Sequence, residues 1–314
     1  MPLPTVLMTD VIRSTQQGDS HGGAYLIDLE RGTHERVLDW NEVGIDWEGR
    51  GAGRGLRGIV FHGDDIYIAA SDELYVFDQS FNIRRSFKNP YLHHCHEIVL
   101  DGDRIYLTAT TFDSILEFHI PTATFDRGTW LEPKRGPGGR GTITPVRFNP
   151  QSDTGGPPRG DNLHINSVWR ANAATFVGTL RLPVLMAYDD RLKLTPYAQI
   201  SAHTHNARPF GDGVLYNATG EDAIVIADRR GNVRNRYAIP KYDPSAMTHT
   251  DVPEDYARQG FGRGLCVGED GVLIGGSSPS TVTAHHSQTG EILAQVNVSM
   301  DVRNCPHGLE IWPY

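Results

Sequence analysis

Short apolar runs recur along the whole chain, each closed by a turn signal, and they come in sets of four. Gly58–Phe61, Ile66–Ala70, Leu74–Phe77 and Ile83–Phe87 form one set, separated by Gly63-Asp64-Asp65, Ser71-Asp72-Glu73 and Asp78-Gln79-Ser80. Short β-rich runs between Gly, Asp and Ser clusters predict consecutive antiparallel hairpins. The next set matches run for run: Glu97–Leu100, Ile105–Thr110, Ile115–Phe118 and a weaker run near Thr124–Trp130. Three more sets follow, opening at Asn166, Asn206 and Gly264. The stretches 133–161 and 241–260 interrupt the period and are expected to be loops inserted between units.

The first run of each set opens alike. Arg57-Gly-Ile-Val-Phe-His-Gly-Asp and His96-Glu-Ile-Val-Leu-Asp-Gly-Asp start 39 residues apart, and so do Asn166-Ser-Val-Trp and His205-Asn-Ala-Arg-Pro-Phe-Gly-Asp. Arg263-Gly-Leu-Cys-Val and His307-Gly-Leu-Glu-Ile complete the series. A four-strand unit with a period near 40 residues predicts an all-β fold, a β-propeller. The N-terminus supplies three strands with no inner strand, and the C-terminus supplies one orphan, 307–313. Pairing them closes a sixth blade and removes the exposed edge. The expectation is a single six-bladed domain of four-stranded antiparallel blades over residues 1–314.

In a propeller the first strand of each blade lies nearest the axis, and residues two apart on a strand share a face. One layer is then His307, Arg57, His96, Asn166, His205 and Arg263, in blade order. A layer nearer the strand starts is Cys305, Gly55, His94, His164, His203 and Phe261. Together the layers take six of 14 histidines. His96, His205 and His307 fall on alternate blades, an arrangement that suits three imidazole ligands to a divalent metal with an open axial position. Zinc or iron is expected first, with manganese or copper as alternatives. Calcium fits less well, because it needs six or more oxygens.

Arg57 and Arg263, with Asn166 and Arg208, are the candidate substrate contacts, since guanidinium groups grip carboxylates bidentately. His164, His203 and His94 are the candidate proton-transfer groups. A hydrated polar lining is the plainer reading of any single channel histidine. Loops at one rim commonly carry recognition, which brings in Arg135, Arg140, Arg147, Tyr242, His249 and Tyr256 as further candidates.

Bulk properties narrow the partners. A formal charge of −9 argues against nucleic acid, and no apolar run reaches the roughly 18–20 residues of a membrane span. The opening MPLPTVLMTDVIR lacks the features of a secretory signal. Cys95, Cys266 and Cys305 form no CxxC pair, so a reduced, cytoplasmic setting is expected. The glycine-rich stretches 49–55 and 136–141 lack the Lys-Ser/Thr ending of a phosphate loop.

The repeated unit resembles six-bladed propellers of the NHL/TolB type. The openings H-I-N-S-V, H-N-A-R-P and F-G-R-G-L resemble those of an uncharacterised bacterial propeller family. The site plan is similar to that of peptidylglycine α-hydroxyamidating lyase, which holds zinc on three histidines from different blades beside an arginine. It is more loosely similar to oligogalacturonate lyases and to carotenoid-cleaving oxygenases, which place metal on propeller histidines. The histidine and arginine positions together point to a metal-dependent enzyme acting on a small carboxylate-bearing molecule, with lyase or hydrolase chemistry first and an iron or copper oxygenase second. A non-enzymatic ligand-binding propeller is the third reading.

Overall fold

The computed structural model describes residues 2–41, 55–135, 141–152 and 154–314. Six antiparallel sheets surround an axis, numbered here as blades 1 to 6. Blade 1 has Asn304–Ile311 innermost, followed outward by Thr5–Ile12, Gly22–Asp28 and Thr33–Asp39. The two ends of the chain therefore pair, from Val6 opposite Ile311 to Ile12 opposite Asn304. The inner strands of blades 2 to 6 are Ile59–His62, Ile98–Asp101, Ile165–Ala171, His205–Phe210 and Gly262–Val267. Among the described residues no helix is long and apolar enough to cross a membrane.

The apolar core lies between neighbouring blades. Val60, Tyr67 and Val76 of blade 2 pack with Leu107, Leu116 and Phe118 of blade 3. Met8 and Ile27 of blade 1 pack with Ile274 and Val282 of blade 6. Each sheet thus buries both faces, which is why its two middle strands read as nearly continuous apolar runs. Threonine hydroxyls add a polar staple at every second interface. Thr9 of blade 1 donates to the Arg57 carbonyl, Thr110 of blade 3 to that of Ile165, and Thr219 of blade 5 to that of Gly262. A buried hydrogen bond of this kind contributes about 1 kcal/mol.

The expectation of a bare loop over 133–161 needs correction. Thr124–Arg135 pairs with Gly141–Phe148, from Gly128 opposite Phe148 to Arg135 opposite Gly141, so blade 3 has a fifth strand. The T-I-T-P-V-R-F alternation there is hidden in sequence by its Gly- and Pro-rich flanks. Pro145 is tolerated because this strand is outermost and needs no donor on its free side. The chain then returns over blade 3. Asn89 Nδ2 donates to the Pro150 carbonyl at 2.9 Å, and the Gly160 amide donates to that of Thr111 at 2.9 Å. Of the 41–56 stretch expected near the axial rim, residues 42–54 lie outside the described residues, as does Arg140.

Closure leaves no room at Gly308 on the innermost strand. A Cβ there would lie 2.1 Å from the Arg57 carbonyl oxygen and 2.6 Å from Thr9 Oγ1. Gly308→Ala is therefore expected to cost about 2 kcal/mol or more, read as a lowered urea midpoint with unchanged slope.

Candidate functional site

Hydrogen-bond polarity sets the state of each of the three imidazoles, His96, His205 and His307. Arg57 Nη1 lies 2.9 Å from His96 Nδ1. A guanidinium only donates, so Nδ1 of His96 accepts and its Nε2 carries the proton. In His307, Nδ1 lies 2.9 Å from the Cys305 carbonyl and therefore donates. Its Nε2 lone pair accepts from Arg263 Nη1 at 2.7 Å. His205 Nδ1 lies 3.0 Å from Thr219 Oγ1, whose own proton goes to the Gly262 carbonyl at 2.7 Å. His205 therefore donates from Nδ1 and keeps a lone pair on Nε2. Among the described residues, both His96 Nε2 and His205 Nε2 are buried without a partner.

The rings are close. His96 lies 6.0 Å from His205, 6.4 Å from His307 and 5.2 Å from His164, centroid to centroid. Burial, first, and then the Arg57 or Arg263 charge hold His96, His205 and His307 well below the usual imidazole value. His94, 4.6 Å from His96, is lowered in the same way. All four are neutral at pH 7.

The layer nearer the strand starts departs from simple strand alternation. His94, His164 and His203 have φ of 59°, 56° and 54°, a left-handed backbone that non-glycine residues seldom adopt. They reach the rim from turns, not from extended strand. His94 and His164 join the cluster, 5.6 Å apart. His203 is exposed at the rim and makes no ring contact among the described residues. His164 Nδ1 lies 2.9 and 3.1 Å from the two Asp161 carboxylate oxygens. Asp113 braces this turn by accepting from the amides of Asn162, Leu163 and His164 at 2.7, 2.9 and 3.3 Å.

The mouth is chemically divided. Blades 6, 1 and 2 contribute Arg263, Arg13 and Arg57 together with His307, while blades 3, 4 and 5 contribute His94, His96, His164 and His205. Burial and mutual repulsion push Arg57 down to about 10 and Arg263 down to about 9. Arg13 and Arg263 both lie against the Phe261 ring, at 5.1 and 5.9 Å. Among the described residues no Asp or Glu forms an ion pair with Arg263.

Two expected substrate contacts lie elsewhere. Asn166 is buried, donating to the Thr204 carbonyl at 2.8 Å, and staples blade 4 to blade 5. Arg208 stacks on Trp169 at 4.8 Å and donates to the Leu265 carbonyl at 2.7 Å. It lines a cavity of about 20 Å³ with Glu97, Glu310 and His307. Burial pushes both carboxyls up to about 7. Of the loop candidates, Arg147 pairs with Glu117 at 2.7 Å, His249 with Asp301 at 3.2 Å, and Tyr242 bonds Thr281 at 3.1 Å. Tyr256 offers its carbonyl to Arg13.

A metal on His96, His205 and His307 must be tested against these donors. Ligation uses an imidazole lone pair, yet guanidinium protons occupy those of His96 and His307. One free lone pair remains, on His205. No three His, Cys, Asp or Glu side chains converge on a metal position among the described residues. The three-histidine set does not fit a metal in this arrangement.

Asp161, Asp113, Arg13 and Thr219 were not singled out from the sequence. Asp113 and Asp222 do leave a trace, because T-T-F-D and T-G-E-D close the second strands of blades 3 and 5 in the same phase. Arg13 leaves none, since ring closure alone brings it to the axis.

Nitrogen NMR of the imidazoles tests the tautomers. At pH 7.5, His96 should show the Nε2–H form, and His205 and His307 the Nδ1–H form. All three should remain neutral at pH 6.0, where an imidazole of pKa about 6.5 is mostly protonated. Below that value the unfolded chain binds protons that these folded rings refuse, so their contribution to stability falls with falling pH. His205→Gln should accordingly lose less stability than the parent between pH 7.5 and 5.5, read from urea midpoints.

No protein-family model matches the chain, and no curated protein matches it. Solved structures do. A protein of unknown function from Bacteroides caccae aligns over 97% of this chain and 99% of its own, at 11% identity and a TM-score of 0.55. A streptogramin B lyase aligns over 79% of this chain and 69% of its own, at 13% identity and a TM-score of 0.46. A catalytically inactive variant of virginiamycin B lyase from Staphylococcus aureus, with quinupristin, aligns over 79% and 71%, at 11% identity and a TM-score of 0.48. Likeness at this level concerns the fold alone, and the fold is a six-bladed β-propeller.

Proposed function

We propose that the protein binds a small carboxylate-bearing molecule over the propeller axis and removes a proton from it, the first step of lyase chemistry. One observation carries the reading: two buried ring nitrogens of opposite character, His96 Nε2–H and the His205 Nε2 lone pair, lie near the axis, and neither has a partner among the described residues. Arg263 and Arg57 would grip the carboxylate. His205 Nε2 would take the adjacent C–H proton, while Thr219 steadies its Nδ1–H. Charge developing on a carboxylate oxygen would meet His96 Nε2–H, a neutral imidazole acting as hydrogen-bond donor.

Binding would also prime the base. After burial, the Arg263 charge is the largest influence lowering His205. An anion seated on Arg263 offsets that charge and raises the basicity of the ring. The metal-dependent hydrolase and oxygenase readings depend on lone pairs that the guanidiniums occupy, so no step is assigned to a metal. A cytoplasmic small-molecule enzyme remains the setting proposed for it.

The test is substrate-agnostic. Small mono- and dicarboxylates are screened by ligand-observed NMR, and binders are then held with the protein in D2O. Binders should exchange the hydrogen next to the carboxylate. Arg263→Gln should weaken binding about tenfold or more. His205→Ala should slow exchange about 100-fold or more while binding persists. Binding without exchange in the parent would make this a binding propeller. Stoichiometric zinc on untagged protein, lost in His96→Ala, would restore the metal reading and overturn the donor assignment.

A further inference from the structure

We infer that Asp161 and His164 form a second proton-transfer unit at the mouth of the axis, delivering a proton to a leaving group, so that the reaction is an elimination from a β-substituted carboxylate. This rests on the reading of His205 as the base.

The geometry is specific. A carboxylate at 2.9 and 3.1 Å makes His164 Nδ1 a donor and leaves Nε2 as the nitrogen that exchanges protons. Asp161 also balances the charge when the ring is protonated. The His164 ring lies 5.2 Å from that of His96 and 5.6 Å from that of His94, so it borders the same space. Its side chain is 16% exposed. As whole residues, His164 is half-buried whereas His96 and His205 are buried. Of these three rings His164 has the readiest access to water, which a group that must reload a proton each turnover needs.

A purely anchoring role for the pair is redundant. The turn is already held by Asp113, through three amides, and by the Thr111 carbonyl, which accepts from the Gly160 and Asp161 amides at 2.9 and 3.2 Å. That bracing keeps His164 at a φ of 56°. Strain of this kind persists only where the surroundings impose it, and it gathers at functional sites.

The step balances. His205 Nε2 takes the proton from the carbon beside the carboxylate, and the C–H pair becomes the second bond of a carbon–carbon double bond. The bond from the next carbon to the leaving group breaks, its pair going to that group, which takes the proton from Nε2 of protonated His164. The products are an unsaturated carboxylate and the protonated leaving group. His205 then returns its proton to water, and His164 gains one from water at the mouth.

Leaving-group dependence tests this. Matched β-hydroxy and β-chloro carboxylates are chosen from those whose α-hydrogen the parent exchanges in D2O. Chloride departs without a proton, whereas hydroxide needs one. His164→Gln should lower elimination of water about 100-fold or more, yet keep loss of chloride within about threefold of the parent, with α-exchange retained. Asp161→Asn should give a smaller loss on the hydroxy acid and displace its pH profile. Equal losses on both leaving groups, or no loss on the hydroxy acid, would overturn the inference. An unchanged pH profile in Asp161→Asn would reduce Asp161 to a loop anchor and overturn the pair. Absence of α-exchange in the parent, or exchange indifferent to His205→Ala, would instead sink the underlying reading.

Discussion

Ring closure is the constraint on which everything else here depends. Six twisted sheets meet around one axis only if the last strand of the chain enters the first blade, and Asn304–Ile311 does so against Thr5–Ile12. That pairing removes two open edges at once. It also brings three groups far apart in sequence to one place: His307 from the C-terminal strand, Arg13 from the end of the N-terminal strand, and Arg263 from blade 6. Gly308 marks how tightly the join is drawn, since any side chain there meets the backbone of blade 2.

A second regularity follows from that closure. Blades 1, 3 and 5 each place a histidine on the axis and a threonine staple to the next blade, while Arg57 and Arg263 occupy blades 2 and 6. Histidines and arginines are therefore neighbours around the ring, and Arg57 bonds His96 while Arg263 bonds His307. Because a guanidinium can only donate, each contact decides which imidazole nitrogen keeps its proton. The Arg57 contact makes His96 an outward donor. The Thr219 contact makes His205 an outward acceptor. A donor and an acceptor side by side suit proton chemistry better than ligation.

The electrostatic layout agrees with that assignment. Burial and the neighbouring Arg13 charge lower Arg57 and Arg263, and burial with those two guanidiniums lowers His94, His96, His205 and His307, whereas Glu97 and Glu310 lie beside Arg208. Glu97 spends its oxygens on the Val168 amide and Asn206 Nδ2, tying three blades together. The acidic end is thus partly architectural. Among the described residues, His96 Nε2 and His205 Nε2 at the basic end lack a partner. A buried polar atom without a partner is costly in a finished fold, and a ligand that supplies the missing partners removes the cost.

Much was already determined by the amino-acid sequence. The 39-residue spacing of Arg57 and His96, and of Asn166 and His205, was enough for the blade count and the closed first blade. Periodicity reports which side chains share a phase, and phase in a closed ring is position. It is silent about what each side chain bonds to, so His96, His205 and His307 read as equivalent ligands until Arg57, Thr219 and Arg263 set their protons apart. It missed the outer strand Gly141–Phe148 because Gly and Pro dominate its flanks, and it took Asn166 and Arg208 for free contacts when both are bonded across blade seams. Asp161 lies in a turn with no repeat to flag it. Only the packed chain, with Asp113 holding that turn against blade 3, brings its carboxylate to His164, because hydrogen-bond direction and loop placement arise from three-dimensional neighbours and leave no period in the sequence.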